Sequence, residues 1–459
     1  MMSKVKSFFR NFFQVAPFVL SNTVIFIPYL LFLDVGNNPT LESILPFVLF
    51  YTFRMTGIFL LKSFRLNVSS FNILILSVLL GGLGSLIGIF GEFFHYCYFL
   101  SAILLGISGA WLPVANTTVN FHEKEQGFTN MTAKKYPFAF VLFVILMMLL
   151  NSSIALRNAL LLMGYTMLFI ASYHTITHYP NYEIDFNKVD RYSISFKELF
   201  LFVTFFVLLF VLRVARLLFE PEYLNFVVIV FFGVFIVLTW SLNKHKKELK
   251  LPLWLNLLTF VNGMCSNFIL LFGTFYVAIR MGADKIPLAL YLPYICGIII
   301  AMFGGKILLR SVKKIDPKVF HMGGLMLGLF LLLFIKFFPI GVFVLSFFIS
   351  LTGTFLNQVY YETERLPKDQ RLIDKYMTQA KGSLAQQFLM MSLLWLLTKQ
   401  AEIPVVVVLQ ITAYNVQRPE AIAIVEKIHV ISIVFLMLFF FVVLYASLKV
   451  NHERKKNEL

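Results

Sequence analysis

The feature that most constrains this chain is its division into runs of about twenty predominantly apolar residues. That is the length an α-helix needs to cross the hydrocarbon core of a bilayer. Fourteen such runs can be counted, at 14–34, 42–62, 68–91, 93–118, 136–152, 156–176, 198–219, 223–243, 252–279, 286–305, 319–337, 339–357, 383–399 and 427–449. With 59% hydrophobic and only 14% charged residues, too little charge remains to coat a soluble globule. The sequence predicts an all-α polytopic membrane protein.

The basic residues set the orientation, because cytoplasmic loops retain Lys and Arg. With the N-terminus inside, seven basic residues fall outside (Arg157, Arg280, Lys285, Lys336, Lys399, Arg418, Lys427) and three fall within spans (Arg54, Arg213, Arg216). The other 29 lie on the cytoplasmic side. The net charge of +16 is thereby a matter of topology, and clusters such as Lys244-His245-Lys246-Lys247 face anionic lipid rather than nucleic acid. The expectation is a multi-pass protein of the cell membrane with both termini cytoplasmic. Lys4, Lys6 and Arg10 precede an apolar stretch long enough to span, without an evident small-residue cleavage site, so this stretch reads as a retained first helix. Cys97, Cys265 and Cys296 show no spacing of a disulfide framework or zinc site.

A nine-residue element divides the list. Gly57-Ile58-Phe59-Leu60-Leu61-Lys62-Ser63-Phe64-Arg65 recurs as Gly305-Lys306-Ile307-Leu308-Leu309-Arg310-Ser311-Val312-Lys313, and both copies read Gly-x-x-Leu-Leu-basic-Ser-x-basic at the end of an apolar run. If 198–219 and 223–243 are an insertion, both copies end the second helix of a six-helix bundle. The expected domains are an N-terminal bundle at 1–176, a linker plus two inserted helices at 177–250, and a C-terminal bundle with a basic tail at 251–459.

This loop resembles the signature loop of the major facilitator superfamily, Gly-x-x-x-Asp-Arg-x-Gly-Arg, in that family's variant with fourteen spans. Gly57, Lys62 and Arg65 match its first glycine and two basic positions, and Gly305, Arg310 and Lys313 do so in the second half. Leu61 and Leu309 stand where the family has aspartate, and Phe64 and Val312 replace its second glycine. The run Leu104 to Pro113, followed by the charged loop Glu123 to Gly127, is similar to the family's glycine-rich fourth helix. The resemblance implies two bundles flanking a central pathway and a secondary transporter working by alternating access. The six loop residues become a conformational latch, with plain topological anchoring as the competing reading.

Arg54 is the sharpest site candidate, since an ionised side chain at mid-span costs on the order of 3 kcal/mol. It is either a counter-charge for an anionic substrate group or a structural partner of neighbouring helices. Arg213 and Arg216, near a span end, are explained by snorkelling or local pairing. Amides and other polar groups concentrate in the first and fourth helices of each bundle, which line the cavity in the resembled family. Asn22, Trp111, Asn116, Asn262, Asn267 and Asn357 join Arg54 as substrate-binding candidates; each alone can also glue helices together. The acidic residues lie in loops or at span ends, so Asp34, Glu92 and Asp284 are what remains for ion coupling. His174 and His178 share a helix face without a flanking acid, which gives no metal site.

No nucleotide-binding motif, catalytic triad pattern or redox motif is evident, so neither an enzyme nor a cofactor is expected. The expected function is a transporter of an amphipathic or lipophilic small molecule, with efflux first. A lipid or lipid-linked sugar flippase and a non-transporting scaffold that kept the fold are the alternatives. Its partners are membrane lipid and the small substrate, with no nucleic acid and a monomer as the working form.

Overall fold

The computed structural model describes residues 2–36, 40–64, 69–150, 152–154, 156–182, 195–217, 229–230, 233, 251–311, 315–405, 407–408 and 419–457. Contacts divide the chain into two compact units, Met1–Leu218 and Phe219–Leu459. Seven described helices are long and apolar enough to cross a membrane, and the bent first pair makes an eighth. The protein is an all-helical polytopic membrane protein.

The first unit holds α1 (Met2–Thr23), α2 (Ile27–Val35), α3 (Leu41–Ser63), α4 (Ser70–Gly88), α5 (Tyr96–Glu125), α6 (Tyr136–Leu150), α7 (Arg157–Thr177) and α8 (Phe196–Leu217). Local signals start the helices where the chain leaves its loops. The Thr40 hydroxyl accepts from the Ser43 amide at 3.3 Å to cap α3, and Ser69 caps α4 through the Asn72 amide at 3.3 Å. The expected first span, 14–34, is two helices meeting at 57°. Pro28 is the cause: it has no amide for the Val24 carbonyl and its ring clashes there.

Lipid and protein faces are clearest on α4. Leu76, Leu79, Leu83 and Leu86 are exposed along one stripe. The opposite face carries Gly81, Gly84 and Gly88, where added β-carbons would stand 2.2–3.2 Å from atoms of Phe169, Leu105 or Ser101. Apolar side chains gain little by leaving lipid for each other, so close approach of small residues decides which helices pair. α5 packs on both α3 and α4, and α7 packs on α1 and α4. The helix expected to begin an insertion, α8, packs along α3, with the Ser195 amide donating to the Ser63 carbonyl at 2.7 Å. All but three positions of the other expected inserted span, 223–243, lie outside the described residues.

The second unit contains α9 (Leu253–Asn267) and α10 (Thr274–Arg280), joined by a π-helical turn over Phe268–Gly273. There follow α11 (Leu292–Ser311), α12 (Pro317–Leu332), α13 (Phe338–Glu362), α14 (Lys368–Gln400) and α15 (Pro419–Asn457). α11 and α12 pack on α13, and α9 packs on α14. Like the bent α1–α2 pair, the first helix of this unit is irregular midway. α14 begins fifteen residues before the apolar run 383–399, because hydropathy marks only the lipid-immersed part of a helix.

The α9–α14 crossing brings two backbones together at glycine. A β-carbon on Gly263 would stand 2.1 Å from the Gln379 carbonyl oxygen, and one on Gly382 1.9 Å from that of Phe260. The obstacle is backbone, which cannot rotate away. Gly382→Val should therefore lower the thermal midpoint of the purified protein in detergent, by the equivalent of about 1–3 kcal/mol. Gly323→Ala, where nothing lies within 4 Å, should leave it unchanged. Equal midpoints for the two variants would refute this packing.

Candidate functional site

The break between α1 and α2 places Arg54. Pro28 leaves the Val24 carbonyl without its helical amide, and Gly109 of α5 faces that oxygen: a β-carbon there would be 3.5 Å from it. The same point lies 3.7 Å from Cγ of Arg54, so the arginine stem and the Val24 oxygen meet on the bare face of α5. Arg54 is half-buried, and the structure gives it polar or electrostatic partners in its surroundings. Around it, the Trp111 indole donates to the Gly57 carbonyl at 2.7 Å, and the Asn116 amide donates to the Ser21 hydroxyl at 2.8 Å. These bonds tie α5 to α3 and to α1. The Asn116 oxygen is buried without a partner. Asn22 is exposed and bonds the Phe18 carbonyl of its own helix.

The repeated glycines do the same job in the two units. A β-carbon on Gly57 would stand 2.8 Å from that of Ala110, and one on Gly305 2.6 Å from Cδ1 of Leu351. At the repeat α3 thus meets α5 in the first unit and α11 meets α13 in the second. Lys62 is half-buried and has partners. Arg65 and Lys313 lie outside the described residues, and of Arg310 only the helical backbone is described.

Of snorkelling and local pairing, the two readings of Arg213 from sequence, the first is corrected. Arg213 does not snorkel: it is 3% exposed, and its guanidinium carbon sits 3.7 Å from the centre of the Tyr51 ring. Side chains on a helix lean toward its N-terminus, which here carries the head away from the nearer helix end. Nothing is described of the Arg216 side chain. Among the coupling candidates, Asp34 forms an ion pair with Arg157, joining α2 to α7. Asp284 pairs with adjacent Lys285 at 3.4 Å on an exposed turn, and Glu92 is exposed. His174 and His178 stack with ring centres 4.5 Å apart, and the His178 Nδ1 lies 2.6 Å from the His174 carbonyl.

The second unit carries a seam of amides along α9, α13 and α14. Asn267 donates to the Ser383 carbonyl at 2.7 Å, and the Ser383 hydroxyl donates to the Gly263 carbonyl at 3.0 Å. Asn262 is 1% exposed and Gln386 fully buried, yet neither amide finds a hydrogen-bond partner at its oxygen or nitrogen. The oxygens of Asn357 and Gln379 are likewise buried and unpaired. Buried polar atoms without partners are rare in folded proteins, and these have capacity for water or a polar ligand.

Three buried groups escaped the sequence analysis. His429 lies in an aromatic stack, 4.1 Å from the Tyr276 ring centre, with Nε2 2.8 Å from the Leu332 carbonyl. His321 stacks on Phe355 at 4.7 Å and meets the Thr352 hydroxyl at 3.2 Å. Both sit in apolar runs, where a lone histidine is the available signal. Lys375 is 2% exposed, eight residues before the run 383–399, and its ammonium lies 4.1 Å from the Tyr376 ring centre. Among the described residues no carboxylate forms an ion pair with it. An unbroken α14 starting at Lys368 would have exposed the position as helical and inward-facing.

Burial pushes the Lys375 amine down to about 7. Its folded-state pKa is thus below the ordinary lysine value of 10.5, so between these values the unfolded chain binds more protons. Stability therefore rises with pH across that window, with the penalty complete below it; each pKa unit is worth about 1.4 kcal/mol. Thermal midpoints should climb from pH 7 to pH 9.5 in the wild-type protein. Lys375→Met should flatten that slope and raise the midpoint at pH 7. An unchanged slope in the variant would show that another group titrates.

No family model matches the chain, and neither does any curated protein. Solved structures do. A crystal structure of a mutant of the peptide transporter POT is 13% identical and covers 97% of this chain and 95% of its own, with a TM-score of 0.50. A POT family transporter in complex with 5-aminolevulinic acid is 12% identical over 96% and 95%, at 0.49. A bacterial homologue of the human lysosomal transporter Spinster is 12% identical over 95% and 98%, at 0.42. At such identities the likeness concerns fold, and the peptide transporter carries it over nearly the whole length. Over nearly its whole length the chain has the fold of that solved peptide transporter.

Proposed function

We propose that this chain is a secondary transporter that moves an amphipathic or lipophilic small molecule by alternating access, with export as its direction. The observation that carries the reading is the amide seam of the second unit, in a chain whose fold over 97% of its length is that of a solved peptide transporter. Asn262 and Gln386 offer unpaired donors and acceptors in a strongly apolar chain, which suits a largely apolar ligand with a few polar groups. In the first unit, Arg54 at the helix break adds one permanent positive charge, which favours a substrate carrying a carboxylate or another anionic group. The bent α1–α2 pair and the π-turn between α9 and α10 give each unit a first helix whose ladder is already interrupted, where bending costs least.

Reconstitution in liposomes tests this. Flux of an anionic amphiphile should fall about tenfold or more in Arg54→Ala, comparable to losing one charge-assisted hydrogen bond, and recover in Arg54→Lys. Asn262→Leu should reduce flux of polar-headed substrates more than that of purely apolar ones. Absence of flux for every amphiphile, drug and lipid tried would leave a membrane scaffold that kept the fold. An imposed proton gradient that leaves flux unchanged would make the movement facilitated rather than proton-driven.

A further inference from the structure

A cavity of about 420 Å³ opens between the N-terminal half of α1 and the turn preceding α6. Arg10, Lys134 and Lys135 converge on it with Gln14 and Thr132, and Phe138 forms its apolar side. None of the three cations pairs with a carboxylate among the described residues. The wall is braced: the Lys135 ammonium donates to the Asn130 carbonyl at 2.8 Å, and the Asn130 amide donates to the Gln14 carbonyl at 3.1 Å and the Tyr179 hydroxyl at 3.3 Å. Burial, and then the charge of Arg10, hold the Lys135 ammonium below its ordinary value. Three cations gathered with no carboxylate partner among the described residues repel one another, a cost that an anion held among them would remove.

The cavity continues into a lipid-facing surface. Val141, Ile145 and Met148 of α6 are exposed at 52%, 52% and 69%, and with Phe138 they follow helical spacing along one face. Phe8 meets Phe138 edge-on with ring centres 5.3 Å apart, an aromatic contact at the same end. The basic groups belong to the end of the unit that the charge bias assigns to the cytoplasm, where the leaflet is anionic.

We infer that this cavity is a binding site for the phosphate headgroup of an anionic phospholipid, whose acyl chains lie along the Phe138–Met148 face of α6. The Arg10 guanidinium can hold two phosphate oxygens at once, while Lys134 and Lys135 act as point charges around it. The site is separate from the amides and Arg54 proposed for substrate, and its test does not depend on transport.

Native mass spectrometry of the purified full chain can count retained lipid as phosphatidylglycerol or phosphatidylcholine is added. Phosphatidylglycerol should bind about tenfold more tightly, as expected for charge-assisted contacts. Arg10→Gln combined with Lys134→Gln should abolish that preference, while Lys124→Gln, an exposed cation at the end of α5, should retain it. Circular dichroism establishes that each variant is folded; should the double variant misfold, the single Lys134→Gln, at an exposed position, is read in its place. Phe138→Ser should weaken phosphatidylglycerol but not soluble glycerol phosphate, which lacks acyl chains. Equal retention of the two lipids, or a preference surviving in the folded Gln variants, overturns the site. Glycerol phosphate binding as tightly as phosphatidylglycerol overturns its assignment to lipid.

Discussion

Everything in this structure depends on how closely helix backbones can approach in a solvent that does not drive apolar surfaces together. Lipid tails solvate leucine and phenylalanine as well as another helix does, so contact must come from shape and from polar groups. The chain meets this with glycine. Gly106 sits where a β-carbon would be 2.8 Å from the Phe50 carbonyl oxygen, Gly297 where it would be 2.6 Å from that of Phe343, and Gly328 2.7 Å from Cα of Leu345. These crossings join α5 to α3, α11 to α13, and α12 to α13. Phenylalanine fills the remaining space on both sides of the boundary: Phe50, Phe59 and Phe169 are buried in the first unit, while Phe90, Phe93 and Phe94 are exposed.

This constraint explains why the repeated element was legible. Gly57 and Gly305 recur because each unit needs a close crossing there, α3 with α5 and α11 with α13, and a needed glycine leaves a sequence mark. The spans were legible for a related reason, since apolar runs report lipid contact directly. Helix ends were less so. α5 continues to Glu125, beyond the run 93–118, and α14 starts at Lys368, because a helix leaving the bilayer keeps its backbone ladder while its side chains turn polar. That is also why Lys375 was missed: counted as loop, it gave no reason to expect burial.

Side-chain direction was the other blind spot. Spacing places Arg213 near the end of its helix, where snorkelling is the ordinary expectation, yet the lean of helical side chains turns it onto Tyr51. Asp34 looked available for coupling because sequence does not show that α7 brings Arg157 to it. By contrast, Arg54 stood out in the sequence by its place at mid-span. Its placement against Gly109 and the Val24 carbonyl required Pro28 to act on a carbonyl four residues earlier, an effect visible only once α1 and α2 are known to be one broken span.

The placement of the ionisable groups bears on how energy could enter the transport cycle proposed for this chain. A proton-driven carrier needs a group whose charge changes as the site alternates. Asp34 is held by Arg157, and Asp284 and Glu92 are solvated. The buried groups that can titrate include Glu123, 2% exposed with one oxygen unpaired and the other accepting from the Asn181 amide, and Lys375. Both lie in terminal parts of helices that the charge bias assigns to the cytoplasmic side, Glu123 at the last turns of α5 and Lys375 at the first turns of α14. If protons drive this chain, loading and release at these two positions would act on the cytoplasmic ends of its helices rather than on the middle of a pathway. Charge change there would bias how the helices pack at that side.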